Sequence, residues 1–516
     1  MLDGGDIIIG IDAGTSVIKA VAFDRAGRQI DAASTPNRYT TRPDGAAFQS
    51  MGETWDNCAR TLRDLAAKVV NLARRTAAVA VTAQGDGAWL VDKDDAPVTD
   101  AWLWLDARSA RTVRRLRATS ADHARFQATG TGLAACQQGP QLAHIAATAP
   151  ELLDRAGAAL HCKDWLYLKL TGVRATDPSE ASWTYGDFRT RRYDDAVIEM
   201  LGLSAQRGLL PRILDGAEVT HPLSSDAAAA TGLLPGTPIS LGFVDIACTA
   251  LGAGIYTSGA PAACSIVGST GMHMRATAAD KVRLNVERTG YVIVLPVPGI
   301  AAQVQSNMAA TLNIDWALNL AIDLMAEMGH ESTHDELVAR IEGWVAASRP
   351  GALIYHPFIS EAGERGPFVN SHARAGFVGL SSGHRFPDLL RAVIEGLGMA
   401  TRDCYSAMGE MPTELRLTGG AARSRALRSV LAASVGAPVR TSAREEAGAA
   451  GAAMMAAVAI GAYPSMEACI AEWVAPLLGA PETPDADLAR TYDRMFPAYL
   501  DARRALEPVW DLMARE

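Results

Sequence analysis

Seven cysteines are spread over 516 residues without one Cys-x-x-Cys pair, which excludes a disulfide-stapled scaffold and the usual zinc ribbons. No Gly-Lys dipeptide occurs, so the phosphate-binding P-loop is absent. Gly130-Thr131-Gly132 and Gly396-Leu397-Gly398 each lack the third glycine of a dinucleotide fingerprint. Basic charge is in deficit too. Lys and Arg total 48 against 57 Asp and Glu, and the net charge of −9 argues against nucleic-acid or anionic-membrane partners. The start, Met1 to Asp6, is acidic where a secretory signal carries positive charge. The longest small apolar run, from Ala447 to Tyr463, is mostly Ala and Gly and stops at Pro464, short of a comfortable bilayer span. A cytoplasmic location is therefore expected, with oligomeric state left open between monomer and homodimer.

What is present is ordinary globular material, 49% hydrophobic and 20% charged, in a chain too long for one core. Ile7–Ile11, Val17–Phe23 and Arg28–Ala33 read as strands separated by Asp/Gly/Thr/Ser turns. Trp55, Ala59, Leu62, Leu65, Val69 and Leu72 then recur at helical steps. Val79–Val81 and Ala88–Val91 look like short strands flanking a bend at Gln84-Gly85-Asp86-Gly87. The second half echoes the first. Ala262–Val267 enters Gly268-Ser269-Thr270-Gly271, and Met272–Arg275 leaves it. Strands alternating with long helices predict an α/β protein, divided near residue 250 into 1–250 and 251–516, with helices dominant from Asp388 onward.

Phosphate chemistry, with the standard loops gone, has another route. In Asp12-Ala13-Gly14-Thr15-Ser16, followed by Lys19, Gly14 lets backbone approach an anion and Thr15 and Ser16 supply hydroxyls and amides. Asp12, at the strand end, is placed to hold a metal ion directly or through water. Such residues also make plain hairpin turns. A matching turn at Gly268, Ser269 and Thr270, one per half, is what a clamp on a polyphosphate needs. Gly419 and Gly420, in Leu417-Thr418-Gly419-Gly420-Ala421-Ala422-Arg423-Ser424, leave a flat gap that a nucleoside could fill, or else a tight strand-to-helix turn.

Taken in order, Gly10–Ser16, Trp104–Ser109, Lys163–Leu166 with Leu170-Thr171-Gly172, Gly363–Phe368, Leu417–Gly420 and Glu446–Ala453 resemble the FGGY carbohydrate kinases from end to end. That resemblance implies two actin-like (ribonuclease-H-like) ATPase domains facing an interdomain cleft, with ATP and Mg²⁺ as cofactors and a small sugar or polyol as partner. Residues 1–250 would form the substrate and phosphate side, and 251–516 the nucleotide side. It implies Asp245 as general base, in Gly242-Phe243-Val244-Asp245 ahead of Leu251-Gly252-Ala253-Gly254. Asp12 would position Mg²⁺. Gly14, Thr15, Ser16 and Lys19, with Gly268, Ser269 and Thr270, would cradle phosphates, and Gly419, Gly420 and Ser424 would border the nucleoside. Gln84, Asp86, Trp104, Asp106 and Asp245 would face the acceptor.

The acceptor side departs from the family pattern informatively. Pentulose kinases of the family usually carry Gln-Met-His-Gly where this chain has Gln84-Gly85-Asp86-Gly87, and glycerol kinases carry Gln-Arg-Glu-Thr. Asp86 keeps the acid, which can accept two hydroxyl hydrogen bonds. Gly85 is expected to free room for an extra carbon, as are Cys136 and Met272 in place of aromatics, and Trp104 to wall the carbon chain. The runs Gln84–Gly87, Cys136–Pro140 and Phe243–Ile246 are most similar to those of erythritol-phosphorylating members. A pentulose acceptor, or a non-catalytic sugar sensor, stays as the alternative. One motif points elsewhere: His330-Glu331-Ser332-Thr333-His334 is a literal H-E-x-x-H. Thr333 followed by Asp335 and Glu336 reads instead as an exposed helix start.

Overall fold

The computed structural model describes residues 5–257 and 260–514. Two six-stranded mixed sheets organise it, and they share one plan. In the first, Ile7–Ala13 pairs antiparallel with Val17–Asp24, which pairs antiparallel with Gln29–Pro36. On its other side Ile7–Ala13 runs parallel to Thr76–Ala83, which runs parallel to Pro238–Leu241; Thr220–Pro222 closes the edge. In the second, Ala263–Val267, Gly271–Ala278 and Ile300–Asn307 repeat the antiparallel meander, and Leu415–Thr418 and Val439–Thr441 repeat the parallel pair. Tyr291–Val294 is the added edge strand. The expected doubling of the hairpin is thus a doubling of a whole sheet.

Ile7, Ile8, Ile9 and Ile11 are all fully buried, as a strand flanked on both sides and covered on both faces must be. Helix Met51–Lys68 covers one face, starting at Ser50, whose hydroxyl accepts from the Glu53 amide. The periodic reading carried this helix to Leu72. It ends earlier, because Val69 is extended and Asn71 turns left-handed at φ 57° before a short second helix, Leu72–Arg75. Thr333 caps the helix His334–Val338 through a reciprocal bond with Glu336, as its sequence implied, and among the described residues no three His, Cys, Asp or Glu gather to hold a metal. No helix among them is long and apolar enough to cross a membrane.

The Ala/Gly run forms a buried helix, Ala447–Ala459, and it joins the halves. It lies on the first sheet and on helix Asp245–Ala253, where side chains larger than hydrogen have no space. A Cβ on Gly10 would overlap the Ala449 carbonyl, one on Gly252 the Ala447 carbonyl, and one on Gly451 the Cys248 carbonyl. Residue 250 falls inside Asp245–Ala253, the helix on which Ala447–Ala459 packs. The close approach is testable. Gly10→Ala is expected to lower stability by about 2–3 kcal/mol, the scale of core overpacking, read as a fall in Tm by calorimetry. An unchanged Tm would show that the contact is looser than this.

Candidate active site

Strands Ile7–Ala13, Thr76–Ala83 and Pro238–Leu241 run parallel and end at one edge of the sheet, where open α/β sheets present their functional groups. Asp12 lies at the end of the first, Gln84–Gly87 follow the second, and Gly242–Asp245 follow the third. The third loop is tied to its neighbour: Gly242 N–H donates to the Val81 carbonyl at 2.8 Å, and the Thr82 hydroxyl to the Phe243 carbonyl at 2.6 Å. Asp245 then opens its helix, and its carboxylate accepts from the Ile246 amide at 2.7 Å.

The Asp12 carboxylate acts on the charge of Asp245. Burial pushes Asp12 up to about 6, with Lys19 opposing and Glu446 adding to the rise. Burial first, and then the Asp12 carboxylate, drive Asp245 well above the ordinary carboxylate value; Glu180 and Asp86 add to this. Gly448 is the reason Asp12 can sit there, since a Cβ at that position would collide with its Oδ2. Both acids are partly exposed, so ligand and solvent can reach them.

Asp86 lies beside them in a left-handed turn at φ 58°, an unusual state for a residue with a side chain. Its amide donates to Glu180 Oε1 at 3.3 Å and its Oδ1 accepts from the Trp183 indole at 3.1 Å. Trp183 stacks on Tyr291 of the second half, ring centroids 5.5 Å apart. Burial raises the Asp86 carboxyl above the ordinary carboxylate value, and Cys136, His161, Trp183 and Arg365 oppose the rise. Glu180, Trp183, Tyr291 and Arg365 were assigned no role from the sequence. Only Arg365 sat in a quoted motif, and nothing local marks Trp183 as a partner of a residue almost a hundred positions earlier.

Three expectations on this side need correction. The space left by Gly85 is not the acceptor's: a Cβ there would lie 2.5 Å from Val244 Cγ2, so the chain's own valine fills it. Asp106 is buried and committed, accepting from the Ala47 amide at 2.9 Å and from Arg108 at 2.6 Å, which in turn stacks on Trp102. It fixes the loop that carries Trp104 and has no free face for a ligand. Gln84 is buried as well, donating to Gln49 at 2.7 Å and accepting from the Thr15 hydroxyl at 2.8 Å. Trp104 remains 38% exposed, with its indole on Thr15 Oγ1 at 2.9 Å.

On the phosphate side, Gly14 closes the first hairpin by donating to the Val17 carbonyl, leaving Ser16 exposed. Lys19 is paired with Glu446 at 2.8 Å. In the second sheet Ala263–Val267 and Leu415–Thr418 are parallel neighbours, with Ile266 opposite Thr418, so the turns at Gly268–Thr270 and Gly419–Gly420 emerge side by side. Gly419 has φ 87° and rests against the Val267 carbonyl. Ser269, Thr270, Gly419 and Gly420 are exposed. The Ser424 hydroxyl caps helix Arg425–Val435 and donates to Glu342 at 3.1 Å, so it borders this surface with its bonds already made.

The clustered acids give a signed prediction. A carboxyl whose folded pKa is raised holds its proton more tightly folded than unfolded, so stability falls as pH rises from about 4 through the folded value. Asp245→Asn removes that penalty. Its Tm is expected to exceed the parent's by a few degrees near pH 8, with the difference vanishing near pH 4, in paired thermal scans. A lower Tm at pH 8 would mean the charge is not strained.

Residues 7–252 match the FGGY family of carbohydrate kinases, N-terminal domain, and residues 263–460 its C-terminal domain. The chain is 67% identical over 514 residues to an erythritol kinase of Brucella abortus, covering 100% of this chain and 99% of that one. It is 27% identical to the L-xylulose/3-keto-L-gulonate kinase of Escherichia coli over 88% of each chain. A ligand-bound xylulose kinase of Lactobacillus acidophilus superposes with a TM-score of 0.88 at 22% identity, over 98% of this chain and 100% of that one. With two actin-like sheets, acids at their shared seam and both family domains matched in sequence, the chain belongs to the FGGY family of carbohydrate kinases and is an ATP-dependent carbohydrate kinase.

Proposed function

We propose that this kinase transfers the γ-phosphate of ATP to a terminal hydroxyl of a short acyclic polyol, with erythritol as its acceptor. The observation that carries the reading is the 67% identity, over the whole chain, to an enzyme named for that acceptor. The acceptor side is compatible with it. Asp86 is buried with Oδ1 taken by the Trp183 indole, so its Oδ2 would accept from an acceptor hydroxyl, and Trp104 offers an exposed apolar face to carbon.

In this reading the polyol hydroxyl lies against Asp245. As its oxygen bonds to the γ-phosphorus, its proton passes to the Asp245 carboxylate. The bond from that phosphorus to the β-bridging oxygen breaks, and ADP leaves. An acid whose proton affinity is raised by burial and by neighbouring charge is a better acceptor than a free carboxylate. Ser16 and the amides of its turn, with Ser269 and Thr270, would hold the phosphates. Lys19 would join them by exchanging Glu446, since so exposed an ion pair is worth only about 0–1 kcal/mol. The residues fit Mg²⁺: Asp12 is a desolvated carboxylate facing a second one, a pair that a divalent cation relieves. Bound there, the ion would offset phosphate charge.

The test is a coupled assay of ADP release over tetritols, pentitols and ketopentoses. Erythritol is expected to give the highest kcat/KM, whereas a ketopentose that outranks every tetritol would favour the pentulose reading suggested by the 27% relative. For the acceptor-binding role, Asp86→Ala is expected to raise the polyol KM roughly tenfold or more, the loss of a charge-assisted hydrogen bond, with the ATP KM unchanged. Equal rises in both KM values would remove Asp86 from the acceptor pocket.

A further inference from the structure

Under the two acceptor-side loops lies a chain of polar groups entirely cut off from solvent. Lys163 is 0% exposed, and its ammonium sits 2.7 Å from Asp164 Oδ1 and 2.6 Å from Asp177 Oδ2. From this hub the contacts run in two directions. In one, Asp164 Oδ2 accepts from His161 Nδ1 at 2.9 Å, and His161 Nε2 lies 3.5 Å from Glu180 Oε2; neither of these last two atoms has another partner. Glu180 Oε1 then accepts the amide of Asp86, the residue held in the left-handed turn. In the other direction, Asp177 accepts from the amide and the hydroxyl of Ser179, and Ser179 Oγ accepts the amide of Val244 at 3.1 Å. Val244 is the residue before Asp245.

The two arms start on one short segment and end on two loops far apart in sequence. Those loops leave neighbouring parallel strands, Thr76–Ala83 and Pro238–Leu241, and past the last ladder pair the sheet ties them through the Thr82 hydroxyl on the Phe243 carbonyl, short of Asp86 and Asp245 themselves. Burying an ammonium and three carboxylates adds little stability over a well-packed apolar core, because desolvation consumes most of the attraction. What such a network does supply is geometry, since each member accepts only a narrow range of partner positions. Glu180 also answers a specific need. An amide in a strained turn is otherwise unpaired where it is buried, and only an acceptor at that place holds the turn.

We propose that Glu180 and Ser179 are positioning residues of the kinase reaction: through the Lys163 hub they fix the Asp86 loop and the Asp245 loop relative to each other, Glu180 acting on the acceptor arm and Ser179 on the base arm. The inference rests on the reading of Asp86 as acceptor-binding and Asp245 as base. It predicts a division of kinetic effects that loss of packing alone does not produce.

The experiment compares Ser179→Ala, Ser179→Thr, Glu180→Leu and Glu180→Gln with the full-length parent, using whichever acceptor the substrate panel ranks first. Ser179→Ala leaves the Val244 amide without its acceptor. It is expected to lower kcat roughly tenfold or more, the scale of a small misplacement of a reacting group, with both KM values kept, and Ser179→Thr should restore it. Glu180→Leu is expected to raise the acceptor KM by a similar factor with the ATP KM kept, and Glu180→Gln, which retains an oxygen for the Asp86 amide, should recover most of it. Should Glu180→Leu fail to fold, Glu180→Gln and the Ser179 pair still decide, since parent-like kinetics in Ser179→Ala overturns the inference. Equal changes in acceptor and ATP KM, or no rescue by Thr and Gln, overturn it as well. If Asp86→Ala leaves the acceptor KM unaltered, the underlying reading fails first; if Asp86→Ala acts and these variants do not, the positioning inference alone falls.

Discussion

The close backbone packing of this molecule centres on the burial of Asp12 and Asp245 at neighbouring loops of the first sheet. The two acids come from different strands, and each is pushed toward its protonated form by burial and by charge of its own sign. What holds them is backbone brought within bare contact: Gly448 under Asp12, Gly252 and Gly451 where the two helices cross, and Gly10 beneath Ala449. Each contact excludes even a methyl group. The crossing that joins the two halves therefore also packs beneath Asp12 and against the helix that Asp245 opens.

The duplicated sheet explains how the work is divided. Both halves offer parallel strand ends with loops that leave in the same direction. The first half places carboxylates on those ends. The second places exposed turns rich in glycine and hydroxyl groups, Gly268–Thr270 and Gly419–Gly420, with no acid among them. An ATP-dependent kinase needs donors for a polyanion on one side and an acceptor for a proton on the other. The same topology, used twice with different loop residues, offers carboxylates in one half and exposed hydroxyl and glycine turns in the other.

Much of this was legible in the sequence, for physical reasons. The Ile-rich first strand, the hairpin turns and the helical spacing from Trp55 are local patterns, and local patterns survive folding. Thr333 with Glu336 identified a helix start that a literal metal motif obscured, because a cap is decided within four residues. The errors share a cause. Gly85 promised space, but Val244, from another loop, takes it. Asp106 and Gln84 carry the polarity of ligand-binding groups, yet other parts of the first half use up that polarity: the Ala47 amide for one, Gln49 and Thr15 for the other. Sequence shows which groups can bind. Only the packed structure shows which are still free, and the bond from Trp183, stacked on Tyr291, to Asp86 belongs to the same class of information.

Two kinds of ion pair border the reaction, and their burial sets their roles. Lys19 and Glu446 meet at 2.8 Å with side chains 41% and 21% exposed, so water stands ready to replace either partner and separation costs little. Lys163 meets Asp164 and Asp177 with no exposure at all, so removing one partner would strand a charge in a medium that cannot solvate it, at a cost of about 3–5 kcal/mol. The first pair is free to exchange partners, and the second is a fixed frame. The difference between the two pairs is solvent access rather than residue type, since both join a lysine to carboxylates at similar distances.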